Sequence, residues 1–416
     1  MPSPSSAHTP LDIDAERLWS SLMDMAKVGP SPNGGSRRLA ISDEDAAGRR
    51  LLLDWVEALG CTWHRDEAGN LFILRSGQDN SLAPVAIGSH LDTQPLGGRF
   101  DGVLGVLGGL ETLRTLHDHQ VTTLRPLTLV VWTNEEGSRF SPAMAGSGVW
   151  SGRLAQDAFF DAKDSQGVSV SEALEATNQR GDAALGSPEL DAYFELHIEQ
   201  GPVLEETDEP LGIVTGVQGI RWYDLRFEGQ SVHAGPTPMS YRHDPLLAAM
   251  AFIQAMRDEL GDDRDARLTV GDFSVIEPSR NVVPGAVKVQ LDLRHVDEER
   301  LSQLDAAVTR LAQGAAEREG TRVDIEPIWH SPVTPFHDDL IRTLGDAAKA
   351  RGNEAPQMMS GAGHDAVNVS HVAPTAMLFV PCLDGISHNE AEYASPEHCA
   401  LGTQVLCDAV VAWANR

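Results

Sequence analysis

Positive charge is what this 416-residue sequence has least of: 32 Lys and Arg stand against 61 Asp and Glu, a formal net charge of −29. That excess repels phosphate backbones and argues against nucleic acid as a partner. It also requires any site for an anionic substrate to be made locally positive, by a metal or a placed arginine. Cysteine is scarce as well. Cys61, Cys382, Cys399 and Cys407 form no CxxC pair and are too scattered to staple a chain of this size, which points to a reducing cytoplasmic compartment. No uncharged apolar run is long enough to span a bilayer, so no membrane partner is expected. The start, "MPSPSSAHTPLDIDAERLW", lacks the basic head and apolar run of a signal peptide. "AGSGVW" is not a GxSxG elbow and "LGVLGGLE" lacks a phosphate-loop lysine, which sets aside serine-nucleophile and nucleotide-binding chemistry.

What is present is a soluble globular composition, 41% apolar and 22% charged, in a chain long enough for two domains or one with a large insertion. "AERLWSSLMDMAKVG" and "DEDAAGRRLLLDWVEALG" carry apolar residues at three- and four-residue spacing and read as amphipathic helices. "NLFILRSG", "APVAIGSH", "LTLVVWTNEEG" and "DAYFELHIEQG" are short apolar runs bounded by turn formers, hence strands, and near-continuous enough to be covered on both faces. "DGVLGVLGGLETLRTLHDH" reads as a helix whose glycines suggest close approach to a neighbour. Strands alternating with helices predict an α/β domain with a mostly parallel sheet. From about residue 217 the order becomes βαββαβ, the ferredoxin-like unit of an α+β domain. The expected organisation is 1–216 and 331–416 as one catalytic domain, with 217–330 inserted into it.

The stretch "GSHLDTQPLGGRFDG", residues 88–102, places His90, Asp92 and Asp101 among glycines and prolines with little packing material. His90 lies just past one apolar strand, Glu135 and Glu136 just past another, His197 closes a third, and His388 follows "TAMLFV". Open α/β sheets collect their sites at the carboxyl ends of strands. Converging there, three imidazoles and several carboxylates suit zinc, manganese, cobalt or nickel, and are too rich in nitrogen for magnesium or calcium. Taken singly, each is as readily an ordinary hydrogen-bonded residue, and spacing alone leaves both readings open and does not name a reaction.

The motifs "GSHLDTQPLGGRFDG", "TNEEGSRF", "ELHIEQGPVLE", "VHAGPTPM", "NVVPG", "DLRH", "SGAGHDA" and "GISHNEAEY", in that order, resemble the metal-dependent amidohydrolase branch of the M20 metallopeptidase clan. That branch holds N-carbamoyl-L-amino acid hydrolases, bacterial β-ureidopropionases and allantoate amidohydrolases. The resemblance implies two divalent ions per subunit, one on His90 and His197, the other on Glu136 and His388, with Asp101 bridging. Asp92 would orient the His90 imidazole from behind, and Glu135 would act as general base. At the position of His197, peptidases of the clan typically carry a carboxylate, whereas "HIEQG" is similar to the carbamoylase branch. The resemblance further implies that Gln200 and Gly363 contact substrate, and that Asn281 and Arg294 grip its carboxylate. His233 would stabilise the oxyanion from the partner subunit of a homodimer, whose inserted domain is lid and dimerisation surface.

The expected reaction is hydrolysis of the ureido C–N bond of a small-molecule N-carbamoyl amino acid. Allantoate hydrolysis, an M20-type peptidase or aminoacylase activity, and a catalytically dead scaffold are the alternatives. His364 is set aside as equally structural, and the remaining histidines carry no such context. Cys382 and Cys399, near His388, match no nucleophile arrangement and are read as packing.

Overall fold

A computed structural model describes residues 11–416; the Pro/Ser-rich start lies outside the described residues. The chain divides into two compact units, one comprising residues up to Gly216 together with Pro335–Arg416, the other Val217–Thr334. Along the chain the strands are β1 (Thr62–Arg65), β2 (Leu71–Arg75), β3 (Val85–His90), β4 (Leu127–Trp132), β5 (Ala192–Ile198), β6 (Gly212–Val217), β7 (Gly219–Glu228), β8 (Val232–His233), β9 (Arg267–Val275), β10 (Val282–Val283), β11 (Ala286–His295), β12 (Arg322–Ser331), β13 (Thr334–Pro335), β14 (Gln357–Ser360) and β15 (Thr375–Val380).

The first unit is built on a sheet of order β1-β2-β4-β3-β5-β15-β6-β13, with β14 also on β6. Its centre is parallel, since β3 pairs in parallel with β4 and β5, and β5 with β15. Antiparallel pairs flank it: β1 with β2, β2 with β4, and β6 with β15. Every residue of β3, β4, β5 and β15 is buried, which is why these strands read as unbroken apolar runs rather than alternating ones. The helix Val103–Asp118 lies directly on this sheet. A Cβ on Gly105 would sit 2.4 Å from the Leu196 carbonyl oxygen, so the helix reaches its depth only because that position has no side chain.

At the chain's N-terminal side, Asp14 caps the helix Ala15–Met25 by accepting from Arg17 N, and Leu18, Leu22 and Met25 form its buried stripe. Ser42 caps Asp43–Glu57 in the same way, with Asp43, Glu44 and Asp45 complementing the dipole of its first turn.

The second unit has the order β12-β7-β11-β9, all antiparallel, with helices Pro245–Leu260 and Glu298–Arg318 packed on it. Here burial alternates along the strands: Tyr223, Leu225 and Phe227 of β7 point into a core with Phe252, Met256, Leu291, Leu293, Leu304 and Val308, while Trp222 is exposed. Burying each such side chain contributes about 1.5–3 kcal/mol relative to exposure. Asp244 caps the first of its helices, and Pro245 at the first position has no orphan N–H to satisfy. The short strands β8 and β10 pair as a separate ribbon.

All four cysteines are free thiols. Burial pushes Cys382, Cys399 and Cys407 up to about 12, and Cys61, only partly buried, is raised as well. In the native protein at pH 8 a chromogenic disulfide should therefore titrate one thiol, Cys61, and all four after unfolding. Two or more fast-reacting native thiols would contradict this packing. Among the described residues no helix is long and apolar enough to cross a membrane.

Candidate metal centre

The parallel register carries several side chains to one edge of the sheet. His90 ends β3 opposite Trp132 of β4, and His197 on β5 pairs with Phe379 of β15. Glu135 and Glu136 follow β4 through Asn134, whose backbone is left-handed (φ 57°) and whose Nδ2 donates to the carbonyls of Phe140 and Pro142, pinning the turn. Asp101 lies in the loop leading to the helix at Val103, and His388, also at positive φ (53°), follows β15.

Each imidazole on a strand is held from behind. His90 Nδ1 lies 2.9 Å from the Asp92 carbonyl oxygen and His197 Nδ1 lies 2.9 Å from that of Ile198, so both rings donate there and turn Nε2 toward the cluster. Gly102 makes room for the first of them: at φ 66°, a Cβ on it would fall 2.4 Å from the His90 ring. Between the two rings sits one carboxylate. Asp101 Oδ1 is 3.4 Å from His90 Nε2 and 3.2 Å from His197 Nε2. Its other oxygen, Oδ2, is 3.6 Å from His388 Nε2, which is 3.4 Å from Glu136 Oε2. Two triads result, His90–Asp101–His197 and Asp101–Glu136–His388, each with ligand atoms within 4.8 Å of one another.

Burial alone would push the His90 ring down, but Glu135, Asp101 and Asp92 outweigh it and hold it well above the ordinary imidazole value. Burial likewise works against Asp101, and His197 and His90 overcome it to hold the carboxyl well below its usual range. Glu135 and Glu136 are held well above it by burial, against the pull of His90; Asp365 adds to the first and Asp101 to the second. Buried carboxylates packed this densely, with two imidazoles tethered through Nδ1 and a buried Gln200 Oε1 lacking any hydrogen-bond partner, form a donor set that fits divalent cations of the zinc and manganese kind.

Three sequence-based assignments look different in three dimensions. Asp92 orients His90 through its backbone carbonyl; its carboxylate is 4.0 Å from the ring and instead accepts the backbone N–H groups of Glu135 (3.3 Å) and Glu136 (3.2 Å). The side chain is turned toward the neighbouring strand end because two N–H groups there have no other partner in regular structure. Gln200, expected at the substrate, donates from Nε2 to Asp101 Oδ2 at 2.8 Å. Arg294 on β11 forks its guanidinium onto Asp292 of the same strand, at 2.8 Å from Nε and 2.6 Å from Nη2.

Of the remaining residues, Glu135 Oε2 is 3.5 Å from His90 Nε2 and outside both triads. Gly363 lies beside the Met144 side chain. His233 and Asn281 belong to the second unit and are brought together by the β8–β10 ribbon, where Ala234 N also donates to the Asn281 carbonyl at 2.8 Å.

Around this cluster stand three residues the sequence reading passed over, Gln94, Glu195 and Glu392, and one it set aside, His364. Gln94 donates from both its backbone N (3.1 Å) and its Nε2 (2.6 Å) to Glu136. Glu195 accepts from Ser89 Oγ, Tyr193 OH and Ala366 N. His364, fully buried and kept well below its ordinary value by burial and by His197, stacks edge-on to His197 at 4.6 Å. Glu392 contacts the loop of Asp101, and burial beside that residue pushes its carboxyl up to about 7. All four lie inside motifs already singled out, but only their burial and partners distinguish them from solvated neighbours.

The sheet is that of an α/β protein, parallel at its centre, with histidines and acids gathered at the carboxyl edge of its strands in groups that could hold a metal ion. Residues 86–412 match Peptidase family M20/M25/M40, and the chain belongs to that family. It is 41% identical over 404 residues to an N-carbamoyl-L-amino-acid amidohydrolase of Rhizobium meliloti, covering 97% of both chains. It is 37% identical to an N-carbamoyl-L-amino acid amidohydrolase of Geobacillus stearothermophilus, over 95% of this chain and 97% of that one. A crystal structure of an amidase of the hydantoinase/carbamoylase family from Burkholderia multivorans superposes with a TM-score of 0.93 at 45% identity, covering 98% of this chain and 99% of that chain.

Proposed function

We propose that this chain is a di-metal amidohydrolase that cleaves the ureido C–N bond of N-carbamoyl-L-amino acids, N-carbamoyl-β-alanine among the candidates, to the free amino acid, carbon dioxide and ammonia. The observation that carries the proposal is the division of one buried carboxylate: Asp101 offers Oδ1 to His90 and His197 and Oδ2 toward His388, the arrangement of a residue shared by two cations. His90 and His197 would hold one ion, Glu136 and His388 the other; zinc, manganese, cobalt and nickel all suit the set. Divalent ions held by these residues would supply Lewis-acid chemistry, acidifying a water and polarising the substrate carbonyl.

Glu135 takes the proton of the attacking water and returns it to the departing nitrogen; its buried setting raises its basicity for that task. Gly235 N donates to His233 Nδ1 at 3.0 Å, so in the neutral ring the proton resides on Nε2, where it can be donated to the developing oxyanion. Asn281 Oδ1 accepts from Ser279 Oγ, which leaves its Nδ2 hydrogens to meet the substrate carboxylate alongside Arg294. Gln200 and the backbone at Gly363 complete the substrate contacts. The inserted domain, 217–330 in the sequence reading, serves as lid and dimerisation element, and Asn281 and Arg294 on it are the groups for the substrate carboxylate. The enzyme works as a cytoplasmic homodimer, with His233 supplied across the subunit interface.

The test is ammonia release by stripped enzyme resupplied with manganese, cobalt or zinc, from N-carbamoyl-L-α-amino acids, N-carbamoyl-β-alanine and allantoate. Ammonia and free amino acid in equal amounts support the proposal; turnover of allantoate alone replaces it, and no ammonia from any of the three rejects it. Within this reading Arg294→Ala should raise KM by about 10- to 100-fold, the loss of a charge-assisted pair, with a smaller effect on kcat. An unchanged KM would place the substrate's anion elsewhere.

A further inference from the structure

Glu392 has no place in either triad, yet its carboxylate is fully buried beside them. Oε1 accepts the backbone N–H groups of Phe100 (2.9 Å) and Asp101 (3.1 Å). Oε2 lies 3.2 Å from Ser387 Oγ, and that hydroxyl is 2.8 Å from Asp101 Oδ2. One side chain thus joins two loops, the first carrying Asp101 and the second carrying His388. Neither loop is held by a sheet ladder or a helix at these residues, so their backbone N–H groups need a partner from elsewhere. Space for the carboxylate is specifically cleared: a Cβ on Gly98 would fall 1.9 Å from Glu392 Cδ.

We infer that Glu392 is a positioning residue for the metal centre, fixing the Asp101 carboxylate between the two triads by tying the Phe100–Asp101 backbone and, through Ser387, the His388 loop to one buried anchor. This rests on the reading of Asp101 as the shared metal ligand. The hydroxyl of Ser387 has a single proton, shared between Glu392 Oε2 and Asp101 Oδ2, and the latter oxygen is held from a second side by Gln200 Nε2. Glu392 is fully buried behind Asp101, so its role is exerted through the carboxylate it orients.

The inference is tested on full-length protein with Glu392→Ala and Glu392→Gln, each stripped of metal and titrated with zinc or manganese against a chromophoric chelator. Glu392→Ala should weaken metal affinity by about 10- to 100-fold, with kcat falling and KM nearly constant. Glu392→Gln should recover most of the affinity, because its Oε1 still accepts both N–H groups while its Nε2 donates to Ser387 Oγ, leaving the hydroxyl proton for Asp101. Wild-type affinity in Glu392→Ala overturns the inference, as does a Glu392→Gln variant no better than the alanine. Should the alanine variant not fold, Ser387→Ala removes the half-buried hydroxyl that joins Glu392 to Asp101 Oδ2: weaker metal binding supports the inference and unchanged binding overturns it. Affinity is read without substrate, so a wild type that fails to release ammonia would reject the proposed reaction while leaving this result standing.

Discussion

Glu135→Gln should lower kcat by about 10²- to 10⁴-fold, the usual worth of a positioned general base, while metal content and KM stay near those of the wild type. The amide has the same shape but cannot take the proton of a water. Its backbone remains anchored on both sides, since Glu135 N donates to Asp92 Oδ1 and Glu135 O accepts from Met144 N at 2.6 Å. The turn that delivers Glu136 to the second triad is therefore undisturbed. Steady-state rates on a carbamoyl amino acid, with metal measured by elemental analysis on the same sample, check the expectation. A variant turning over at a rate close to the wild type would remove Glu135 from the mechanism, and one that loses metal would make it a ligand instead.

Asp101→Ala should have the second large effect, and on a different quantity. Removing the one carboxylate shared by both triads leaves His90 and His197 without a bridging anion and His388 facing Glu136 alone. Metal that binds only the folded state stabilises it by RT ln(1 + [M]/Kd), about 2.7 kcal/mol at a hundredfold excess over Kd. The wild-type Tm should rise with added zinc or manganese, and the Asp101→Ala Tm should stay flat over the same range. Activity should vanish with it. The metal-free variant should nevertheless fold, because Asp101 lies in a turn outside the strands and helices that carry the apolar core. An undiminished metal-dependent rise in Tm would show that the cations are held by other groups.

Much of the architecture was readable in the sequence because it is written in local patterns. The runs "APVAIGSH", "LTLVVW" and "AYFELHI" became the central parallel strands, and the alternating "GIRWYDLRFE" became β7 with Tyr223, Leu225 and Phe227 inward. What was not read are two of the antiparallel flanking strands, β1 and β6. β1, "TWHR", is polar and largely exposed, and β6, "GIVTGV", has glycines that weaken a strand pattern; both are strands because a neighbour pairs with them. In the centre itself, the residues of the two triads announce themselves as imidazoles and acids after apolar runs, and the order of the motifs supplies the rest.

By itself, then, the chain's order of residues determined the alternation of strands and helices, the inserted βαββαβ unit and the set of side chains that reach the carboxyl edge of the sheet. These follow from periodicity and turn chemistry over a few residues at a time. Only the tertiary structure decided which oxygen of Asp101 faces which triad, that the Asp92 carboxylate serves the backbone of the glutamate turn, and that Glu392 anchors a loop 291 residues earlier. The direction of a side chain and the burial that makes its hydrogen bonds count depend on partners distant in the chain, and no local pattern encodes them.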